Sequence, residues 1–358
     1  LQRIIKMKFS EKVAILYQAG AAPERNGIIK PMKTGGYADS GADIAYSLTN
    51  QEIKVVTPTN QPSADNDFEW VFRDTAEGIQ NALNGGATVL WLNTVLYEGH
   101  PIEEFISKGI AVVGQNPKFV EIYDDKVAAN EFLKRYHLPV PKSTIITKGR
   151  IEMDDFNLNF PAVIKPIRGR GSQGVSFVSS KEDLKSAARK KFEANDFGDA
   201  VYAEEFLTGE ELTVTVMPPG QYILNNICTT KNLYWTLPPV VRFNHENGIA
   251  PYSGTVAVMK NSKVISDKRL SDENILKLCS NCEVAAEMVG ARAPIRIDCR
   301  ADKEGNYFLF DLNMKPNMTG GNRPHRKEQD SLTALAARRI GWNFDELIFN
   351  ILLQNWIN

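Results

Sequence analysis

Apolar residues fall along this chain in short runs, and the spacing between runs changes character near residue 140. Before that point, apolar runs at 12–18, 53–57, 88–92 and 110–114 read as buried strands. Between them, 37–49, 75–84 and 101–108 carry helical spacing, and 58–67 is a polar loop. Strands alternating with helices predict a parallel sheet covered on both faces, with ligands at the carboxyl ends of its strands. Glu24 and Arg25 follow the first strand and His100 a later one, so each is placed to meet a ligand; a surface loop is the plain alternative. After a helix at 126–136 and an extended 139–141, the pattern becomes strand-rich, with strands at 160–166, 175–178, 200–207 and 210–216 and a helix at 181–195. Residues 231–259 hold little regular pattern, the composition of a binding loop or lid. An amphipathic helix at 273–289 and closing helices at 331–340 and 344–356 complete the reading. The fold class is α/β, turning α+β in the central and C-terminal parts.

The sharpest pattern lies at 295–313. Ile295-Arg296-Ile297-Asp298 and Phe308-Leu309-Phe310-Asp311-Leu312-Asn313 both alternate, and Asp302-Lys303-Glu304-Gly305-Asn306 between them has turn composition. A turn centred on Glu304-Gly305 sets Asp298 opposite Asp311 and Arg296 opposite Asn313. Like charges facing each other destabilise a sheet, and a divalent cation removes the conflict. An oxygen-only set of Asp298, Asp311 and Asn313 suits Mg²⁺ that also meets substrate phosphates. A solvated hairpin face is the alternative.

Composition narrows the classes. With 358 residues, 43% hydrophobic, 24% charged and a formal net charge of −1, the chain has room for two or three domains and no basic footprint for nucleic acid. No apolar run reaches membrane-spanning length. Residues 1–7 lack a signal-peptide core, and Met7 is read as the natural start. Cys228, Cys279, Cys282 and Cys299 are too few for a disulfide framework, and the lone C-x-x-C at 279–282 has no second pair for zinc. A soluble enzyme of a reducing, cytoplasmic compartment is expected.

Lys165 ends a strand and runs into Ile167-Arg168-Gly169-Arg170-Gly171-Ser172-Gln173-Gly174, where closely spaced glycines let backbone N–H groups converge on an anion. A lysine beside such a nest suits a nucleoside triphosphate. It is not a Walker A loop, because the lysine precedes the glycines and a strand follows. Phe206 and Leu207 offer an apolar slot for a base, and Glu211 a carboxylate for a ribose.

Taken together, residues 120–321 resemble the ATP-grasp superfamily, and most closely its D-alanine–D-alanine ligase-like carboxylate–amine ligases. The pieces stand in that family's order: Asp125-Lys126, 163–175, 203–214, then 296–313 and 314–321. The resemblance implies a three-subdomain ATP-grasp fold: an N-terminal Rossmann-like domain (1–122), a central subdomain with the glycine loop (123–213) and a C-terminal subdomain with the metal site (214–358). It implies that Lys126 and Lys165 contact phosphates. Gly169, Gly171, Ser172 and Gly174 form the loop over the γ-phosphate. Glu204, Glu205, Phe206, Leu207 and Phe310 surround the nucleotide, and Glu211 takes the ribose. Two Mg²⁺ ions, or Mn²⁺, are implied on Asp298, Asp311 and Asn313. Arg296, Lys165 and Ser172 are the implied catalytic set. Glu24 matches the family's S-A-E-R turn, and Asn317, Gly320, Gly321, Arg323, His325 and Arg326 are candidates for the substrate. The implied reaction is amide formation from a small-molecule carboxylate and an amine through an acyl phosphate, releasing ADP and phosphate. An ATP-grasp kinase and a non-catalytic nucleotide-binding module are the alternatives, and a homodimer is one expected assembly.

The sequence also departs from the family pattern. The second metal position is Asp311 rather than glutamate, the paired serines are Gly171-Ser172, and Arg168 and Arg170 add charge. The 236–259 loop and the 320–326 segment differ too, so the resemblance does not carry D-alanine over as the substrate.

Overall fold

The computed structural model describes residues 9–25, 27–152, 156–169, 172–194, 198–245 and 258–358. The N-terminal part is a parallel sheet in the order β2-β1-β3-β4, built from β1 (Val13–Tyr17), β2 (Val71–Arg73), β3 (Val89–Asn93) and β4 (Ala111–Val113). Helices α1 (Ala38–Asn50), α2 (Ala76–Asn84) and α3 (Ile102–Ser107) alternate with the strands, as the apolar spacing predicts. Thr75 caps α2 by accepting the Gly78 N–H. Val13 to Leu16 have no exposed surface, as a strand buried on both faces requires.

The run at 53–57 does not become a strand. Val55 makes a single parallel bridge to Val13, and from Ile15 onward that edge of β1 is taken by β2. β2 itself was not visible in the apolar pattern, because three residues carry no period. At the far end, Trp356 pairs antiparallel with Val112, and the Trp356 indole donates to the Gly114 carbonyl at 2.8 Å.

Two further sheets follow. The first has the order β5-β8-β6-β7, from β5 (Ser143–Thr147), β6 (Ala162–Pro166), β7 (Ser176–Val178) and β8 (Ala200–Glu205). Beside β6, α4 (Lys126–Arg135) starts at an Asp125 cap, and its first N–H donates to the Ile167 carbonyl. α5 (Lys181–Ala194) buries Leu184, Ala188 and Phe192 in this sheet's apolar cluster.

The second sheet runs β14-β13-β9-β15-β16, with β12 (Trp235–Thr236) also on β9. Its strands are β9 (Glu211–Met217), β13 (Val240–Arg242), β14 (Ser262–Val264), β15 (Ile295–Ala301) and β16 (Tyr307–Asn313). A separate hairpin joins β10 (Gly220–Leu224) to β11 (Ile227–Lys231). One face of the large sheet is apolar: Leu212, Val214, Val216, Ile297 and Cys299 share a cluster with Leu278, Cys282 and Ala285 of α6 (Glu273–Met288). Period two therefore sends the intervening residues to the opposite face. α7 (Leu332–Arg339), capped by Ser331, and α8 (Phe344–Leu352), with a capping box from Asn343 and Glu346, close the chain.

Candidate active site

The second face of the large sheet carries polar residues in register. Arg242, Glu211 and Arg300 stand side by side across β13, β9 and β15. The next row is Val240, Thr213, Asp298 and Asp311, and the next Thr215, Arg296 and Asn313. The predicted pairing of Asp298 with Asp311 and of Arg296 with Asn313 is the pairing observed. A register shift after Asp298 leaves Phe310 opposite no residue, and its ring meets Lys165 with Nζ 5.3 Å from the centroid.

This face forms one wall of a cleft of about 480 Å³, and the glycine loop, β6 and β8 form another. On that second wall Lys165 of β6 reaches Glu204 of the neighbouring β8 at 2.5 Å, both almost without exposed surface. Burial pushes the Glu204 carboxyl above its ordinary range, by more than Lys165 draws it down. Lys126 lies 3.4 Å from Asp311. Burial works against the Lys126 ammonium, but Asp311 and Asp124 outweigh it and raise its pKa. Asp311 answers in the other direction: burial pushes it up, while Lys126, Lys165 and Arg296 pull it below the usual carboxylate range. Asp298 accepts from the Thr213 hydroxyl at 2.7 Å and from Arg296 Nη2 at 3.3 Å. The Asn313 Oδ1 accepts the Lys315 N–H at 3.2 Å. At the other end, Glu211 has His245 Nε2 at 3.0 Å and Arg300 at 3.6 Å, and the Arg300 guanidinium lies 4.5 Å over the Phe206 ring.

Among the sequence candidates, Lys126, Lys165, Gly169, Ser172, Glu204, Glu205, Phe206, Leu207, Glu211, Arg296, Asp298, Phe310, Asp311, Asn313 and Asn317 all line this cleft. Ser172 sits at φ 64°, a left-handed conformation that a non-glycine residue adopts only when held there. Gly171 and Arg170 lie outside the described residues, as do residues 246–257, half of the expected 236–259 loop. Gly174 is off the cleft wall, and its carbonyl accepts from Lys191. Arg168 turns away toward Glu121 and Asp125, at 3.6 and 3.9 Å.

The substrate candidates beyond Asn317 are not brought to the cleft wall. Glu24 is exposed, and its neighbour Arg25 pairs with Glu121 at 2.6 Å. His100 is buried: its Nδ1 accepts the Ile102 N–H, so Nε2–H faces Asp74 at 3.3 Å. Gly320 and Gly321 give their N–H groups to Asp43 and Asp330, at 3.2 and 3.0 Å. Arg323 has no exposed surface, and its guanidinium donates to Asp43, the Ala64 carbonyl and the Asp39 carbonyl at 2.7, 2.9 and 3.1 Å. Arg326 also reaches Asp43, and His325 stands 3.0 Å from Asp65. These cations are spent on tying the 320–326 segment to α1 and the loop after it.

The cleft instead gains residues that the sequence reading passed over: Lys30, Lys33 and Tyr37 from the segment after β1, Arg242 from β13, and Lys315. Their signal was positional, since 27–37 follows the first parallel strand at its carboxyl end. Burial lowers the Arg242 guanidinium pKa against the pull of Asp298 and Glu211.

Residues 132–353 match the protein family described as D-ala D-ala ligase C-terminus. The D-alanine–D-alanine ligase of Actinobacillus succinogenes is 28% identical over 353 residues, covering 96% of this chain and 97% of that one. The enzyme of the same name from Acinetobacter baumannii is 30% identical over 233 residues, 64% of this chain and 66% of its own length. In fold, the chain is similar to the Bacillus anthracis D-alanine–D-alanine ligase complexed with ATP, with a TM-score of 0.62 at 16% identity over 96% of this chain and 97% of that one. It is similar also to the VanG D-Ala:D-Ser ligase of Enterococcus faecalis, with a TM-score of 0.63 at 15% identity over 96% and 98%.

Proposed function

The chain belongs to the D-alanine–D-alanine ligase family, an ATP-dependent carboxylate–amine ligase, and we propose how its cleft divides the work. That membership sets aside the kinase and the inert nucleotide-binding module. The observation that carries the assignment is the register row of Asp298 against Asp311, flanked by Arg296 and Asn313 and faced by Lys126 and Lys165.

The donor set fits a hard divalent cation: two carboxylates and an amide oxygen on adjacent strands, with Lys126 already supplying positive charge to Asp311. Among the described residues no three His, Cys, Asp or Glu side chains form a metal cluster, and this set, with an asparagine as its third member, is not of that kind. Mg²⁺ held by Asp298, Asp311 and Asn313 supplies charge neutralisation to the phosphates when bound. Lys126 and Lys165 hold phosphate oxygens, and the backbone of Gly169 and Ser172 closes over the terminal one. Phe206, Leu207 and Phe310 bound the base, and Glu211 receives the ribose.

A carboxylate oxygen of the acyl donor attacks the γ-phosphorus and ADP leaves. The amine nitrogen then attacks the acyl carbon, phosphate leaves, and the amine gives up a proton. Arg296 faces the acyl oxygen on which charge develops. Both substrates are amino acids or close relatives. No helix among the described residues is long and apolar enough to cross a membrane, and a cytoplasmic homodimer fits this reading.

The test is ADP release across a panel of carboxylate and amine pairs, with mass spectrometry of the product. A new amide and one ADP per amide support it. Near-normal ADP release by folded Lys165→Ala refutes the phosphate assignment.

A further inference from the structure

Strand β13 lies two strands from β15 and its Asp298, and Arg242 is the residue of β13 that lines the cleft. The strand is held on both edges. Arg242 pairs with Glu211 of β9 and with Ser262 of β14, and the next residue, Phe243, donates its N–H to the Asn261 carbonyl at 3.0 Å. Val240, two residues back, stands in the row of Thr213, Asp298 and Asp311. Arg242 is thus fixed on the flank of the cleft opposite to Asp311, one row nearer to Glu211.

The cations around it have carboxylate partners. Lys165 reaches Glu204 at 2.5 Å, Lys126 reaches Asp311 at 3.4 Å, Arg296 reaches Asp298 at 3.3 Å and Arg300 reaches Glu211 at 3.6 Å. Arg242 differs. Its Nε is buried without a hydrogen-bond partner, and among the described residues no carboxylate comes within ion-pair distance of its guanidinium. Burial works against its charge first, Asp298 and Glu211 attract it from farther off, and Arg296 repels it. A buried donor without an acceptor is costly, and one retained on a cleft wall calls for a ligand that supplies the acceptor.

The geometry points to Arg242 as a further cation for the phosphate chain of the nucleotide, taking phosphate oxygens from the β13 flank while Lys126 and Lys165 take them from the side of β16 and β6. A planar guanidinium meets two phosphate oxygens at once, which suits a residue whose N–H donors are unmade in the empty cleft. Glu211 marks the ribose end and Asp298 the metal end, and both attract Arg242. The phosphates that join the two ends pass this flank. A ribose hydroxyl on Glu211 and a cation on Asp298 engage the two carboxylates that steady Arg242, and the phosphate that arrives with them replaces both. A substrate carboxylate fits less well, because Arg296 and Asn313 stand in the row beyond Asp298, away from Glu211. This assignment rests on the nucleotide part of the reading above and adds to it a contact outside the two lysines and the glycine loop.

The test is binding of ADP with Mg²⁺ to the wild-type chain, Arg242→Gln, Arg242→Met and Arg242→Lys by isothermal titration, with urea unfolding of each free protein. Loss of a charge-assisted hydrogen bond predicts a Kd about 10- to 100-fold higher in Arg242→Gln and Arg242→Met. Arg242→Lys is expected to keep more affinity than either, since a phosphate answers to charge and a neutral acceptor does not. Removing a donor that has no partner in the free protein is expected to leave the urea midpoint at or above that of wild type, where a structural arginine would lower it. Arg242→Gln carries the comparison where Arg242→Met does not fold. A Kd within twofold of wild type in the neutral variants, Arg242→Lys binding no better than Arg242→Gln, or a lowered urea midpoint in all three variants overturns the role of Arg242. Binding is read without turnover, so a wild type that binds ADP with Mg²⁺ yet forms no amide overturns the ligase reading alone. A wild type that binds no ADP overturns both.

Discussion

Arg323→Met separates a structural arginine from one that meets substrate. The wild-type guanidinium has no exposed surface and is shared among Asp43 at 2.7 Å, Asp67 at 2.7 Å and the carbonyls of Ala64 and Asp39. Methionine fills similar volume but leaves those acceptors without a donor. Breaking a buried ion pair from one side costs about 3–5 kcal/mol. Arg326 remains 3.0 Å from Asp43 and Gly320 still donates to it, which moves the expected loss toward the lower end of that range. Replacing both partners is often close to neutral, so Asp43→Leu/Arg323→Met should lose less than the two single variants together. The assay is urea unfolding followed by tryptophan fluorescence, with steady-state kinetics on the folded protein. The expected result is a loss of about 3 kcal/mol or more with every KM within threefold of wild type. Unchanged stability with a tenfold rise in one substrate's KM would falsify the structural role and return Arg323 to the substrate site.

Arg296→Ala should lower kcat by about 10²- to 10³-fold, as loss of an oxyanion donor does, with nucleotide binding retained by fluorescence titration. Asp311→Asn should abolish turnover yet tighten metal-free ATP binding, because Lys126 at 3.4 Å no longer has a carboxylate to leave; weaker metal-free binding contradicts this. Burial raises the Glu210 carboxyl, but Arg269 at 2.7 and 2.8 Å and Tyr307 at 2.9 Å pull it below its ordinary range. A depressed folded pKa contributes stability above the ordinary glutamate value of about 4.3 and loses it as the pH falls through the folded value. Glu210→Gln should therefore flatten part of the acid limb of a stability–pH curve.

What the sequence disclosed follows from the range of each signal. The β15–β16 hairpin was legible because period-two alternation and a turn-forming 302–306 act within twenty residues, and register then placed Asp298 opposite Asp311. The hairpin of β10 and β11 was overlooked although Asn225 and Asn226 stand between its strands, both at positive φ, as a two-residue turn requires. β5 escaped for a different reason: its residues 143–147 are half-buried at an edge and show no clean alternation. At the substrate end the sequence led to the cleft wall only through Asn317. Arg323 meets Asp43 across 280 positions, and Lys315 reaches a ring far back in the chain. A basic 323–326 therefore read as free charge when its partners lay in α1.

The cleft's charges are arranged as pairs that ligands must exchange. Lys165 faces Glu204, Lys126 faces Asp311 and Lys33 faces Asp39, so each cation has an anion beside it before nucleotide arrives. An unpaired charge buried as deeply as Lys165 or Glu204 costs several kcal/mol, and their pairing removes that cost in the empty cleft. Phosphate that approaches alone must detach Lys126 from Asp311 and leave that carboxylate without its partner. A divalent cation that approaches alone meets Asp298 and Asp311 already compensated by Arg296 and Lys126. Arriving together, the cation takes Asp311 as the phosphates take Lys126, and that pair strands no charge. On the proposed reading, the requirement for nucleotide and metal as one complex follows from the ion pairs of the free protein. It does not need a separate recognition element.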